Sequence, residues 1–147
     1  MNGSQQYCTF YINQQMFGIE VEVVQEIIRS QEVTRVPLAP SLVQGLINLR
    51  GQIVTAIDLR SLLSLPFESV ERPHMNVIVR GEEGSFSLLV DRIGDVLELD
   101  ESMSEAPPIT LKGAVSEVIN RAYKLERELL LSLDVTRLLK SVISKAA

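Results

Sequence analysis

A small, mainly β protein built from two like halves is what this sequence predicts, and three observations predict it. The first is an internal repeat: Phe17 to Ile27 lies over Phe86 to Val96 at an offset of 69, with eight of the eleven pairs matching in character. The second is strand-type alternation at corresponding places, Phe17, Ile19 and Val21 in one copy and Phe86, Leu88 and Val90 in the other. The third is the recurrence of turn residues every roughly 8–12 positions, the rhythm of small closed or nearly closed barrels.

Each half reads in the same order. A strand and a tight turn lead into the alternating strand; the first turn is Asn13-Gln14-Gln15 and its counterpart is Gly81-Glu82-Glu83-Gly84. A stretch with helix-like apolar spacing follows, through Val23, Val24, Ile27 and Ile28. Next comes a hairpin, Leu46–Leu49, Arg50-Gly51 and Gln52–Ile57 in the first half, and Val118–Tyr123, a turn around Glu126 and Glu128–Leu133 in the second. The later pairings, Ile47-Asn48 with Ile119-Asn120 and Ile53–Asp58 with Leu129–Asp134, carry offsets of 72 and then 76, as longer loops in the second copy would produce. Leu62-Leu63 matches Leu138-Leu139, and an Asp opens an apolar helix in each half. The closing helix places Val135, Leu138, Leu139, Val142 and Ile143 on one face. Glu101 to Lys112, with Pro107-Pro108, reads as a loop inside the second half.

A half of about 70 residues buries too little surface to be stable alone, so the two should pack together and leave a seam where a partner helix or ligand can lie. The expected organisation is one domain over residues 6–146, with repeats near 8–65 and 76–143 and an exchange of elements between them left open.

Composition narrows the function. Hydrophobic residues make up 46% and charged residues 22%, enough apolar matter for a core and too much for a disordered chain. With a net charge of −5, no tryptophan and no basic track interleaved with aromatics, nucleic-acid binding is not expected. No apolar run approaches a membrane span of roughly 20 residues. Met1 to Gln6 lacks the features of a signal peptide. Cys8 is the single cysteine and His74 the single histidine, so neither a disulfide nor a metal cluster of ordinary spacing is expected. A cytoplasmic protein without cofactor or catalytic site follows as the expectation.

The acidic candidates divide. Asp58 and Asp134 stand just before apolar helical stretches, where a carboxylate caps backbone N–H groups, and capping is preferred to a catalytic pair. Glu26 and Arg50 leave two readings open: a solvated arginine at a tight turn, or a charge-assisted carboxylate–guanidinium pair at a binding surface.

At this point the residues resemble a known family. Val24-Gln25-Glu26-Ile27, Val43 through Gly51 and Ile57-Asp58-Leu59-Arg60 together are similar to the CheW-like domain, with Asn48-Leu49-Arg50-Gly51 followed by Asp58-Leu59-Arg60 among its more specific signatures. Leu89 through Val96 resembles the second-half counterpart, and the likeness runs from Gln6 to Ile143. It implies two packed five-stranded SH3-like β-barrel subdomains with short helices and a C-terminal helix. It also implies a free-standing, non-catalytic adaptor that couples chemoreceptors to a CheA-type histidine kinase. The implied partners are the kinase regulatory domain, met barrel end to barrel end, and the receptor cytoplasmic tip, lying in the groove between barrels. Transferred by position, Val24, Glu26, Ile27, Gly45, Asn48, Leu49 and Arg50 become receptor- or kinase-binding residues, and Glu26 with Arg50 becomes a functional pair. Gly45 keeps a structural alternative, a close backbone approach. Asn120 through Glu128 is more charged than the family's hairpin, and Gln44 departs too; these leave a kinase pathway outside flagellar motility, such as a pilus-linked one, as the alternative.

Overall fold

The structure, a computed structural model, describes residues 3–29, 31–37, 43–63, 65, 74–82, 84–108, 111 and 113–146. Pro73, Glu83 of the second tight turn, and Lys112 at the end of the proline-containing loop lie outside the described residues. Strands β1 (Ser4–Ile12) and β2 (Gln15–Glu20) form a hairpin, and a 3-10 turn, Val21–Val23, leads into β3 (Val24–Arg29). Then come β4 (Val43–Leu49), β5 (Gln52–Asp58) and α1 (Leu59–Leu62). The second half supplies β6 (Met75–Gly81), β7 (Gly84–Val90), β8 (Arg92–Asp100) and the two-residue β9 (Ser104–Glu105). It ends with α2 (Ala114–Val118), β10 (Ile119–Lys124), β11 (Leu129–Leu133) and α3 (Val135–Ala146).

The fold is mainly β, as expected, in two sheets ordered β8-β1-β2-β11-β10-β9 and β3-β6-β7-β5-β4. Each half lends its first hairpin to the other half's sheet. β2 joins β11 in parallel through Phe17 and Leu131, and β7 joins β5 in parallel through Phe86 and Thr55. The sixth strand, β9, pairs Glu105 with Ala122; its equivalent in the other sheet is a single bridge from Thr34 to Leu46. Five strands therefore make the common framework of each sheet.

The repeat extends to the irregularities. β3 carries an extra residue between Val24 and Glu26 against β6, and β8 carries one at the corresponding point against β1. β4 and β10 each carry an extra residue too, after Val43 and after Ile119. This register corrects the alignment of Ile47-Asn48 with Ile119-Asn120: Ile119 answers Val43, so the offset is already 76 across the whole hairpin. It also corrects the helix-like reading of Val23 to Ile28. That stretch is mostly strand, and the bulge at Gln25 restarts the alternation, so Val24 and Ile27 both reach the core three residues apart. Val21 falls in the 3-10 turn rather than the alternating strand, and Val118 closes α2 rather than opening β10.

The exchanged strand β1 is buried on both faces from Tyr7 to Ile12. Its even side, Phe10 and Ile12, joins the large core shared by both sheets with Phe17, Ile57, Leu88, Leu131 and Leu138. Its odd side, Tyr7 and Tyr11, lines a second cluster with Met16, Leu99, Tyr123 and Leu130. There the hydroxyls of Tyr7 and Tyr123 share a hydrogen bond of 3.1 Å. Asp58 and Asp134 cap α1 and α3 by accepting from the N–H groups of Arg60 and Arg137, each at 3.1 Å.

Burial and the bond to Tyr123 push the Tyr7 pKa from 10.0 up to about 12. The fold therefore holds the Tyr7 proton more tightly than the unfolded chain does. This contribution to stability is intact below pH 10 and is lost as the pH climbs toward 12. Urea unfolding across that window should show a steeper fall for the wild type than for Tyr7→Phe; parallel curves would mean that the Tyr7 hydroxyl is not held this way.

Candidate functional site

The sequence Arg50-Gly51 joins β4 to β5 in a two-residue turn with φ of +50° and +85°. Positive φ at both positions is the pattern of a type I′ turn, whose twist matches that of the flanking strands. Asn48 secures the turn by accepting the Gly51 N–H through its Oδ1 at 3.0 Å. The hairpin so formed holds the Arg50 side chain, 64% exposed, beyond the end of the sheet.

Arg50 Nη2 donates to Glu26 Oε1 on β3. β3 and β4 are the two outer strands of the five-stranded sheet, so this pair bridges opposite edges. The sheet has curled until its edges approach, and the pair lies across the gap. The Glu26 carboxylate, through its hydrogen bond and its charge, raises the Arg50 pKa further above its usual value, so the cation is permanent. In the six-stranded sheet the repeat places Asp95 and Glu126 where Glu26 and Arg50 stand. Two negative groups cannot make the same bridge. That sheet is fastened instead by Arg121 to Glu101 at 2.5 Å and Lys124 to Glu105 at 3.6 Å.

The structure brings six of the seven sequence-selected residues around this bridge. Val24 and Ile27 flank Glu26 on β3, half-buried against the shared core. Asn48, exposed, and Leu49, half-buried, approach the turn from β4. Ile53, 64% exposed, pairs across the strands with Asn48 and leaves an apolar side chain in solvent near the turn, a position that sequence reasoning did not single out. Nothing marked it, because an isoleucine in a strand reads by default as core.

Gly45 is the one that stands apart. The chain before β4 crosses over it, with Thr34 and Leu46 exchanging two backbone hydrogen bonds of 2.8 Å. A Cβ at Gly45 would lie 2.3 Å from the Thr34 carbonyl oxygen and 2.6 Å from Val33 Cγ1. Its surroundings are those of a close backbone approach, with no side chain to offer a partner.

No group of three His, Cys, Asp or Glu residues is placed to hold a metal ion among the described residues. Nor is any helix of the described residues long and apolar enough to cross a membrane.

Comparison with known proteins follows the same lines. Residues 6–142 match the CheW-like domain model. The chain is similar to the chemotaxis protein CheW of Bacillus subtilis, 30% identical over 138 residues that cover 94% of this chain and 88% of that one. It is similar to the chemotaxis protein CheW of Treponema pallidum, 29% identical over 140 residues, 92% and 82% of the two chains. The crystal structure of the scaffolding protein TtCheW from Thermoanaerobacter tengcongensis superposes with a TM-score of 0.82 at 23% identity, covering 94% and 92%. That last likeness speaks to the fold.

Gly45→Ala should destabilise the protein by about 1–3 kcal/mol through overpacking. Hydrogen exchange should then show faster amides at Thr34 and Leu46. Unchanged stability with both amides still protected would mean that the crossing tolerates a side chain.

Proposed function

The chain belongs to the CheW-like domain family, and from that premise we propose that it is the non-catalytic adaptor coupling chemoreceptors to a CheA-type histidine kinase in chemotaxis. The observation that carries this reading is the extent of the match: residues 6–142 take in both sheets, their exchanged hairpins and the Glu26–Arg50 bridge. Residues 6–146 act as one functional unit, because the core is shared and neither sheet is made from one half alone. The relatives above are named as chemotaxis proteins, which favours this role over a pilus-linked or other kinase pathway.

In this reading Val24, Ile27 and Leu49 offer apolar contact to a partner, and Glu26 and Arg50 fix its register. Asn48 shapes the turn, and Gly45 acts indirectly by seating β4 under the Val33-Thr34 crossing. The partners are the kinase regulatory domain and the receptor tip, met in the cytoplasm at a membrane-bound array. Neither contact needs to be tight. A few desolvated aliphatic anchors ringed by charge give a modest interface, and repetition across an array raises the total.

The test is charge reversal. Glu26→Lys and Arg50→Glu should each weaken binding to a receptor-tip fragment by about tenfold, the range for a paired interfacial charge, while circular dichroism and melting stay near wild type. The double variant with both charges exchanged should recover part of the loss. Wild-type affinity in both single variants would reduce the pair to surface decoration.

A further inference from the structure

The chain passes from one sheet into the other at two places that are equivalent under the repeat, and different forces hold them. Asp91 is the crossing residue between β7 of the five-stranded sheet and β8 of the six-stranded sheet. Its carboxylate accepts from the Arg60 guanidinium on α1, and from the Asn13 N–H in the β1–β2 turn at 2.6 Å. Its own N–H donates to the Tyr11 carbonyl at 3.0 Å. The next residue, Arg92, lies over the Tyr11 ring at 3.6 Å, and the Tyr11 hydroxyl donates to Glu128 at 3.0 Å. α1 is itself fixed, capped by Asp58 and anchored in the shared core through Leu59 and Leu62. Asp91 therefore ties an element of one sheet to an element of the other. Its side chain and that of Arg60 are only 18% and 20% exposed, so water screens the clasp little. Charge-assisted hydrogen bonds are directional, and they set an angle as well as a distance.

The second crossing lies between β2 and β3, beside α3. At the offsets of 69 and 76, Glu22 replaces Asp91, Thr136 replaces Arg60, and Val23 and Arg80 replace Arg92 and Tyr11. Neither the clasp nor the ring stack can form there. Among the described residues no ion pair crosses this junction. Leu139 of α3 lies directly over Gly81, where a Cβ would come within 2.6 Å of its Cδ1, and a cavity of about 390 Å³ remains beside this contact. Apolar contact has no preferred direction, so this side holds the sheets together without fixing their angle.

We propose that Arg60 and Asp91 are a positioning pair for the coupling function, setting the angle between the two sheets through the α1 junction. The shared core keeps the sheets in contact, and the clasp selects one orientation of that contact. A partner bound to one sheet is then felt by a partner bound to the other, because the angle cannot relax between them. This inference rests on the adaptor reading and adds the residues through which the two binding surfaces are held in register.

Three measurements on the full chain test it. In the wild type, the amides of Asn13 and Asp91 should exchange with solvent more slowly than those of their counterparts Glu82 and Glu22. Equal exchange would mean that the α1 junction is no better fixed than the other. Spin labels at Glu82→Cys and Lys140→Cys, exposed positions facing each other across the α3 junction, report the angle on a Cys8→Ala background. Asp91→Asn and Arg60→Met should broaden their distance distribution, and Arg60→Lys, which keeps a cation, should stay close to wild type. Unchanged distributions in both charge-removing variants would overturn the inference. Finally, a saturating receptor-tip fragment should change wild-type affinity for the kinase regulatory domain by about fivefold or more. In unlabelled Asp91→Asn or Arg60→Met that factor should fall to about twofold or less, while each partner alone binds as it does to wild type. Loss of binary affinity in step with melting temperature, or a coupling factor that survives, would make the pair a fold contact only. If the wild type binds neither partner, the adaptor reading falls and takes the positioning role with it; exchange and distances still judge the clasp.

Discussion

The shared apolar core governs the rest of the molecule. Each half is too short to bury enough surface by itself, and the chain answers by exchanging hairpins, so that β1–β2 completes the sheet of the second half and β6–β7 that of the first. An exchanged strand must be apolar on both faces, one toward its sheet's own interior and one toward the neighbouring sheet. This is why Tyr7 and Tyr11 line one cluster while Phe10 and Ile12, alternating with them, line another. The two sheets cannot slide or separate without exposing Phe10, Phe17, Leu88 and Leu131 together. The surfaces at their outer edges and junctions are therefore held in a constant relation.

On this scaffold the repeat has kept its backbone and lost its charge symmetry. Bulges recur at equivalent points in β3 and β8 and in β4 and β10, so the framework of the two sheets is nearly the same. Side chains decide what each sheet does with it. One sheet ties its edges with Glu26 and Arg50, whereas the other has Asp95 and Glu126 at those positions and fastens β10 through Arg121 and Lys124. One junction is clasped by Arg60 and Asp91, and the other stays open beside α3. A duplicated fold thus presents two chemically different ends and two different junctions.

Much of this was legible in the amino-acid sequence. The repeat itself, the alternation in Phe17–Ile19 and Phe86–Leu88, the Arg50-Gly51 turn and the capping aspartates depend on local backbone preference and side-chain period, which act within a few residues. The family likeness of residues around Asn48-Leu49-Arg50-Gly51 could also be read directly, since short motifs survive when loops change length. The helix-like spacing from Val23 to Ile28 misled, because a bulge shifts strand alternation by one residue and mimics a helical period. A bulge is set by what the neighbouring strand offers, and that strand, β6, is about fifty residues away in the chain.

Three things only the tertiary structure decided. It set which hairpin enters which sheet, because pairing across the chain depends on burying both faces of β1 at once. It brought Glu26 against Arg50 across the sheet's closing edges, a meeting that depends on curvature and not on sequence spacing. And it separated Gly45 from the residues around that bridge, since the space above its α-carbon belongs to Thr34, from a segment that folds back over β4. The sequence by itself determined the halves, the turns and the identity of the charged groups. Their encounters were left to packing, because long-range contacts form only when the core that holds them is complete.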